Sequence, residues 1–368
     1  MIRKLPSEIW LYIFEYLQWP QHQFASMVSI SPYTKATAET ILYRNPRIRF
    51  SLQSSSISHL VEQFHRTITK GYGRLAAGVR TFRLSSTVQR RLTTSAHDGS
   101  LTAALLLCMR NLKRLEVICH GMILIPPIVD PSDRFISITH LCWSVEVDDA
   151  VLFAAFLGSL PSLEYMIAGG DGIRFIPLAP AALPLLHHLV NASPDFAESV
   201  LTGRDVPNLG LVVNNVRLFA PVFDDNNEYD SSTLTTMKCV KSLSMSSDKL
   251  NCSLLMECAS LFREVKYLKI SPEAPLEAFA MPQLYDTGLS KTRVQSLELC
   301  AVCSDDAESN IESLKQLFSA LPSLQTLVFR RVNGDSEDGF YRFCRDELDD
   351  GPEWNENLIG VCVVLARP

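Results

Sequence analysis

The chain has 368 residues, 47% of them apolar, and a formal net charge of −6. That is ample material for a large core, and the longest apolar runs fall far short of the roughly 18 residues a membrane helix needs. Ten cysteines are scattered through apolar segments, as reduced, buried thiols are, which points to the cytoplasm or nucleus.

Charge is unevenly placed. Residues 1–110 hold 14 Lys/Arg against 5 Asp/Glu, and the remainder holds 20 against 35. The basic part suits an acidic partner. Its positive residues are dispersed singly, without the clustered Lys/Arg and interleaved aromatics of a nucleic-acid groove, so nucleic acid is not an expected partner. The N-terminus lacks the apolar stretch of a signal peptide, because Glu8 and Glu15 interrupt it.

In chain order, Pro6 to Leu17 reads as a helix with proline in its first turn and apolar residues nearly all round. Gln18-Trp19-Pro20 breaks it. A short helix containing Phe24, Met27 and Val28 follows, and a third runs from Ser31-Pro32 through Tyr33 to Leu42-Tyr43. Three short helices cannot bury that much apolar surface among themselves, so something must dock on them.

A strand is expected at Arg47–Phe50. Beyond it a phrase Φ-x-x-Φ-x-Φ recurs ten times, with middle positions 23 to 33 residues apart. The copies are Val79/Phe82/Leu84, Leu112/Leu115/Val117, Ile138/Leu141/Trp143, Leu163/Met166/Ala168 and Leu186/Leu189/Asn191. The later five are Leu209/Val212/Asn214, Val240/Leu243/Met245, Val265/Leu268/Ile270, Val294/Leu297/Leu299 and Leu324/Leu327/Phe329. Each phrase predicts a short strand with one face inward. Helical periodicity lies between them at 57–64, 101–106, 151–157, 254–262 and 311–318, and a last strand is expected at 358–365. Repeats of this size predict an α/β leucine-rich-repeat-like solenoid over residues 45–368, with about ten to twelve strands. Its parallel strands line a concave face and its helices and turns a convex one. The Asn or Cys that usually follows each strand is absent, so irregular curvature is expected.

The first forty-four residues resemble an F-box. The likeness is carried by Leu5-Pro6-x-Glu8-Ile9, Ile13-Phe14-x-x-Leu17, Phe24, Met27-Val28-Ser29, Tyr33 and Leu42-Tyr43-Arg44. Tyr33 stands where the family often has tryptophan. The resemblance implies a three-helix F-box domain over residues 1–44 that docks a Skp-type adaptor, and through it a cullin–RING ubiquitin ligase. Leu5, Pro6, Ile9, Ile13, Leu17, Val28 and Tyr33 would make that contact. The repeats would then hold an unidentified target protein as the substrate-recognition subunit. The alternative is a leucine-rich-repeat interaction scaffold without a ligase role, whose first helices only cap the solenoid.

Catalytic chemistry is not expected. Cys300-x-x-Cys303 has no partner pair at metal-site spacing, and Gly71-x-Gly73-x-x-Ala76 follows a helix rather than a strand. His187-His188 points to two faces of a strand. No catalytic residue, metal ligand or cofactor is assigned. Two acidic stretches, 224–230 and 335–350, read as loops. The candidate binding surface is instead the face opposite the core, where His140, Tyr165, Ile167, His188, Val190, Leu211 and Val213 would form an apolar patch.

Overall fold

The computed structural model describes residues 9, 12–13, 32–50, 57–70, 73–86, 104–118, 135, 137–144, 150–169, 176 and 178–213. It further describes 237–247, 252–272, 289, 292–301, 318–333, 336–345 and 353–355. The chain forms two compact units, Met1–Leu186 and His187–Pro368.

The first unit contains α1 (Pro32–Leu42), β1 (Arg47–Phe50), α2 (Ile57–Thr69), α3 (Arg74–Gly78), β2 (Thr81–Ser86), β3 (Arg114–Ile118), β4 (His140–Ser144), α4 (Ala150–Gly158) and β5 (Tyr165–Ala168). Its five strands lie in chain order and are all parallel. Alternation fixes which side is inward: Phe82 and Leu84, Leu115 and Val117, Leu141 and Trp143, and Met166 and Ala168 are all buried. At each step one carbonyl accepts two amides from the next strand's entry. Arg44 O accepts from Arg80 and Thr81, Arg80 O from Lys113 and Arg114, Lys113 O from Thr139 and His140, and Thr139 O from Glu164 and Tyr165. That repeated bond locks the register.

Aromatic packing holds helices to this sheet. The Phe64 ring on α2 lies 5.6 Å from Phe82 and 6.5 Å from Tyr43. Below β4, Trp143 meets Phe153 at 5.2 Å and Phe156 at 5.6 Å, both from α4. Among the described residues, the indole N–H of Trp143 is buried without a partner. Shape rather than polarity decides its place.

The second unit contains β6 (His188–Ala192), α5 (Pro194–Leu201), β7 (Asn208–Val213), a 3₁₀ turn at Met237–Cys239, β8 (Ser242–Ser247), α6 (Cys252–Leu261), β9 (Tyr267–Pro272), β10 (Ser296–Ala301), β11 (Thr326–Asn333), β12 (Ser336–Cys344) and β13 (Glu353–Asn355). Strands β6 to β11 are parallel, and β12 and β13 are antiparallel additions. Helix α5 starts at Ser193, whose hydroxyl accepts the Phe196 amide at 3.3 Å, with Pro194 in its first turn. Its end is closed by Arg204, which donates to the carbonyls of Ser199 (3.2 Å), Val200 (2.8 Å) and Thr202 (3.1 Å). Arg345 does similar work beyond β12, donating to Phe318, Leu321 and Leu324 carbonyls, each at 2.7 Å.

This arrangement corrects the expectation of a leucine-rich-repeat-like solenoid behind a three-helix F-box. Among the described residues, two helices lie between β1 and β2, one between β4 and β5 and one between β6 and β7, and the last strands reverse direction. What results is an α/β fold with a continuous parallel ladder in each unit. The acidic stretch 335–350 is likewise corrected in part. Residues 336–344 are β12, which pairs antiparallel with β11.

Within residues 1–44 the complete described helix is α1, and Tyr33 lies on it. Ile9 and Ile13 fall in helical backbone and Ile9 is 43% exposed. Leu5, Pro6, Leu17 and Val28 lie outside the described residues, as do the acidic stretch 224–230, the strand expected at 358–365 and nearly all of the helix expected at 311–318.

Candidate functional site: the open face of the sheet

Side chains on the face away from the core fall into cross-strand rows, because paired residues of adjacent strands point the same way. In the first unit one row is Thr81, Arg114, His140 and Tyr165. The next is Arg47, Arg83, Glu116, Cys142 and Ile167. A third begins Arg49, Ser85, Ile118 and Ser144. Four arginines therefore share this face with one glutamate.

Glu116 is the fixed point of the cluster. Its carboxylate forms ion pairs with Arg114 Nε at 2.6 Å and Arg83 Nε at 3.5 Å. The two guanidinium groups stand over it, so it is buried while they stay partly exposed. Arg47 and Arg49 are exposed and have no carboxylate partner among the described residues. Moreover Arg47 sits directly opposite Arg83 in the ladder. Like charges in that position destabilise a sheet. The strand is held there in spite of its charges.

Beside the arginines, the His140 and Tyr165 rings stack at 5.6 Å with an interplanar angle of 26°. Partial burial lowers the His140 pKa, the Arg114 charge lowers it further, and Glu164 opposes them. The imidazole is accordingly neutral near pH 7. Burial raises the Cys142 thiol, with Glu116 adding to it and Arg114 and Arg83 opposing. Burial also raises the Tyr165 phenol. A protonated thiol, a neutral imidazole and a neutral phenol form a half-apolar shelf next to a cationic strip. Such a surface can hold an anionic, partly apolar segment.

His140, Tyr165 and Ile167 lie on this face of the adjoining strands β4 and β5. His188 and Val190 are half-buried on the corresponding face of β6 in the second unit. Leu211 and Val213 are corrected: they are 2% and 0% exposed and belong to the core. The cause is register: β7 pairs with β8 as Leu209↔Leu243 and Leu211↔Met245, which puts Leu209, Leu211 and Val213 on the inward side, and the adjoining strand β6 meets them through a bulge. Asn191 adopts φ 56°, and the β6–β7 pairing jumps from Leu189↔Leu209 to Ala192↔Leu211. The inward phrase of β7 is thus Val206/Leu209/Leu211, and Val212 takes the outer side. Gly210 lies under the bulge, where an added Cβ would come 3.2 Å from Val190 Cα, a close approach that favours glycine.

Sequence reasoning passed over Arg47, Arg49, Arg114 and Glu116 as site residues. The signal was present, since each flanks an inward position of its strand.

The second unit's open face is built differently. Glu298 on β10 is 3% exposed, lies 3.0 Å from Lys269 Nζ and accepts a short hydrogen bond from the Tyr267 hydroxyl. Ser242, Ser244 and Ser246 line the neighbouring strand. Among the described residues, no three His, Cys, Asp or Glu side chains come together as a metal would require. No described helix is long and apolar enough to cross a membrane.

No protein-family model matches the chain, and no curated protein matches it in sequence. This corrects the F-box and leucine-rich-repeat resemblance, and with it the substrate-recognition role in a ubiquitin ligase and the leucine-rich-repeat scaffold, since both rested on that family. Among solved structures, a crystal structure of a Bacteroides fragilis protein is similar over 76% of this chain and 74% of its own, at 12% identity and a TM-score of 0.36. A likeness at that level carries no argument about function.

Proposed function

We propose that the protein is a non-catalytic binding protein that holds an acidic polypeptide segment across the open face of β1 to β5. The carrying observation is the placement of Arg47, Arg49, Arg83 and Arg114 around the single carboxylate of Glu116, with Arg47 and Arg83 directly opposed. An acidic segment laid over these strands would relieve the repulsion and steer association. His140, Tyr165 and Ile167 would receive its apolar residues. A polypeptide fits better than a nucleic acid, because the one aromatic pair on this face is stacked on itself and its neighbours Cys142 and Ile167 are not stacking groups. The free thiols of Cys108, Cys142, Cys239, Cys258 and Cys344 support a reducing compartment, the cytoplasm or nucleus.

The test is an anisotropy titration of the full chain with a fluorescein-labelled glutamate-rich peptide carrying interspersed leucines. Binding should weaken steeply as salt rises and disappear in the triple variant Arg47→Gln/Arg49→Gln/Arg83→Gln. Unchanged binding by that variant, or displacement of the peptide by single-stranded RNA at lower concentration, would overturn the reading.

A further inference from the structure

The arrangement at the edge of the first unit's sheet is more specific than general basicity. Arg47 on β1 and Arg83 on β2 are ladder partners, so their Cα atoms stand about 5 Å apart on one face. Arg49, two residues along β1, is the ladder partner of Ser85. Arg83 Nε lies 3.5 Å from the Glu116 carboxylate, an ion pair that leaves the side chain partly exposed. Arg47 and Arg49 are exposed, and Ser85 is half-buried on the same face. Three arginines and one serine thus share this corner of the face, and the countercharge beside them among the described residues, Glu116, also pairs with Arg114 at 2.6 Å.

A carboxylate side chain would satisfy this poorly. It brings one charge and two oxygens, and Glu116 already supplies that much. A phosphate monoester brings about two negative charges and three acceptor oxygens near neutral pH. It would bridge two guanidinium forks, each presenting parallel N–H groups, and still reach a third donor. Charged residues also blunt an exposed strand edge against unwanted pairing. Lysine would serve that purpose equally well, but it lacks the planar fork that arginine offers to a phosphate.

We propose that Arg47, Arg49, Arg83 and Ser85 form a phosphate-binding site, so that the acidic segment held on this face is recognised through a phosphorylated side chain. The inference rests on the reading of this face as the binding surface. The experiment compares a glutamate-rich peptide carrying one phosphoserine with the same peptide carrying serine, against the wild-type chain and the Arg47→Lys/Arg83→Lys variant. The phosphoserine peptide should bind the wild type about tenfold more tightly or better. In the lysine variant both peptides keep an electrostatic attraction, but the preference for the phosphoserine peptide should shrink to about twofold, because charge is kept and the fork is lost. Equal affinity of the two peptides for the wild type overturns the phosphate site and leaves the acidic-segment reading standing. Failure of both peptides to bind overturns the acidic-segment reading itself. Retention of the full preference by the lysine variant, whose melting temperature reports its folding, also overturns the guanidinium-fork site.

Discussion

In the first unit the open face of the sheet carries four arginines around Glu116, while in the second Glu298 is enclosed by Lys269 and Tyr267 beside a row of serines. The two glutamates hold similar stations: each lies midway along its strand, points away from the core and is nearly buried by its own partners. The difference is in the remainder. One carboxylate oxygen of Glu298 pairs with the Lys269 ammonium and the other accepts from the Tyr267 hydroxyl. Around Glu116 two guanidinium groups share one carboxylate, and two more on β1 have none among the described residues. In the second unit, removing one member of the closed pair would leave a buried charge unmatched. In the first, the opposed arginines weaken the ladder, and the binding role proposed for this face would give them a counterpart.

The largest effect should come from breaking the closed cluster. Glu298→Ala leaves the Lys269 ammonium without its countercharge in a poorly solvated position and removes the acceptor for the Tyr267 hydroxyl. Loss of one member of a buried pair typically destabilises by about 3–5 kcal/mol, and Lys269 is itself partly exposed, so about 3 kcal/mol is expected from urea unfolding. A loss below about 1 kcal/mol would mean the cluster behaves as a surface pair, and the contrast between the two faces would collapse.

That contrast also shows what could be read from the chain. Strand positions were legible, because inward pairs such as Phe82/Leu84 and Leu243/Met245 alternate with polar residues and only one face of each strand can be buried. The helices at 57–64, 151–157 and 254–262 were legible from their apolar stripes. The register of β7 was not. Val212 and Leu211 are both apolar, and only the pairing of Leu209 with Leu243 and Leu211 with Met245 shows which one faces inward. Nor does periodicity signal the left-handed Asn191, through which Ala192 takes the inward place on β6. The antiparallel strand β12 was masked because it lies in an acidic stretch and opens with Glu337 and Asp338, which read as loop. The arginine cluster escaped notice for a different reason. Residues 47, 83 and 114 are far apart in sequence, and only the ladder shows that they share a face.

A smaller and opposite response is expected at Glu116. Glu116→Gln removes the one countercharge on the arginine face but keeps a carbonyl oxygen within reach of Arg114 Nε. Arg83 and Arg114 are both substantially exposed, so water screens the repulsion that remains. The destabilisation should stay near about 1 kcal/mol. Affinity for the acidic peptide should rise, by about threefold to tenfold at low salt, and the gain should vanish as salt is added. Weaker binding by this variant would show that Glu116 organises the site more than it competes with the ligand.

The smallest effect is one of pH. His140 faces Arg114 from β3, Tyr165 and Glu164 from β5 and its approach, and Cys142 two residues along its own strand. Burial and Arg114 lower its pKa below the ordinary value of 6.5, so at pH 7 the ring is neutral in the free protein. The unfolded chain binds that proton more readily, so this residue's contribution to stability is full above pH 6.5. It declines as pH falls through that value toward the lowered folded pKa. An acidic ligand on this face supplies negative charge and favours the imidazolium. Affinity for the glutamate-rich peptide should therefore be flat above pH 7 and rise modestly as pH drops below 6.5, until the peptide's own carboxylates protonate. His140→Phe would keep the stack on Tyr165 and remove the titration, leaving a flat profile down to that limit. A wild-type profile that is equally flat would place the bound segment away from the His140–Tyr165 shelf, and confine it to the arginines of β1 and β2.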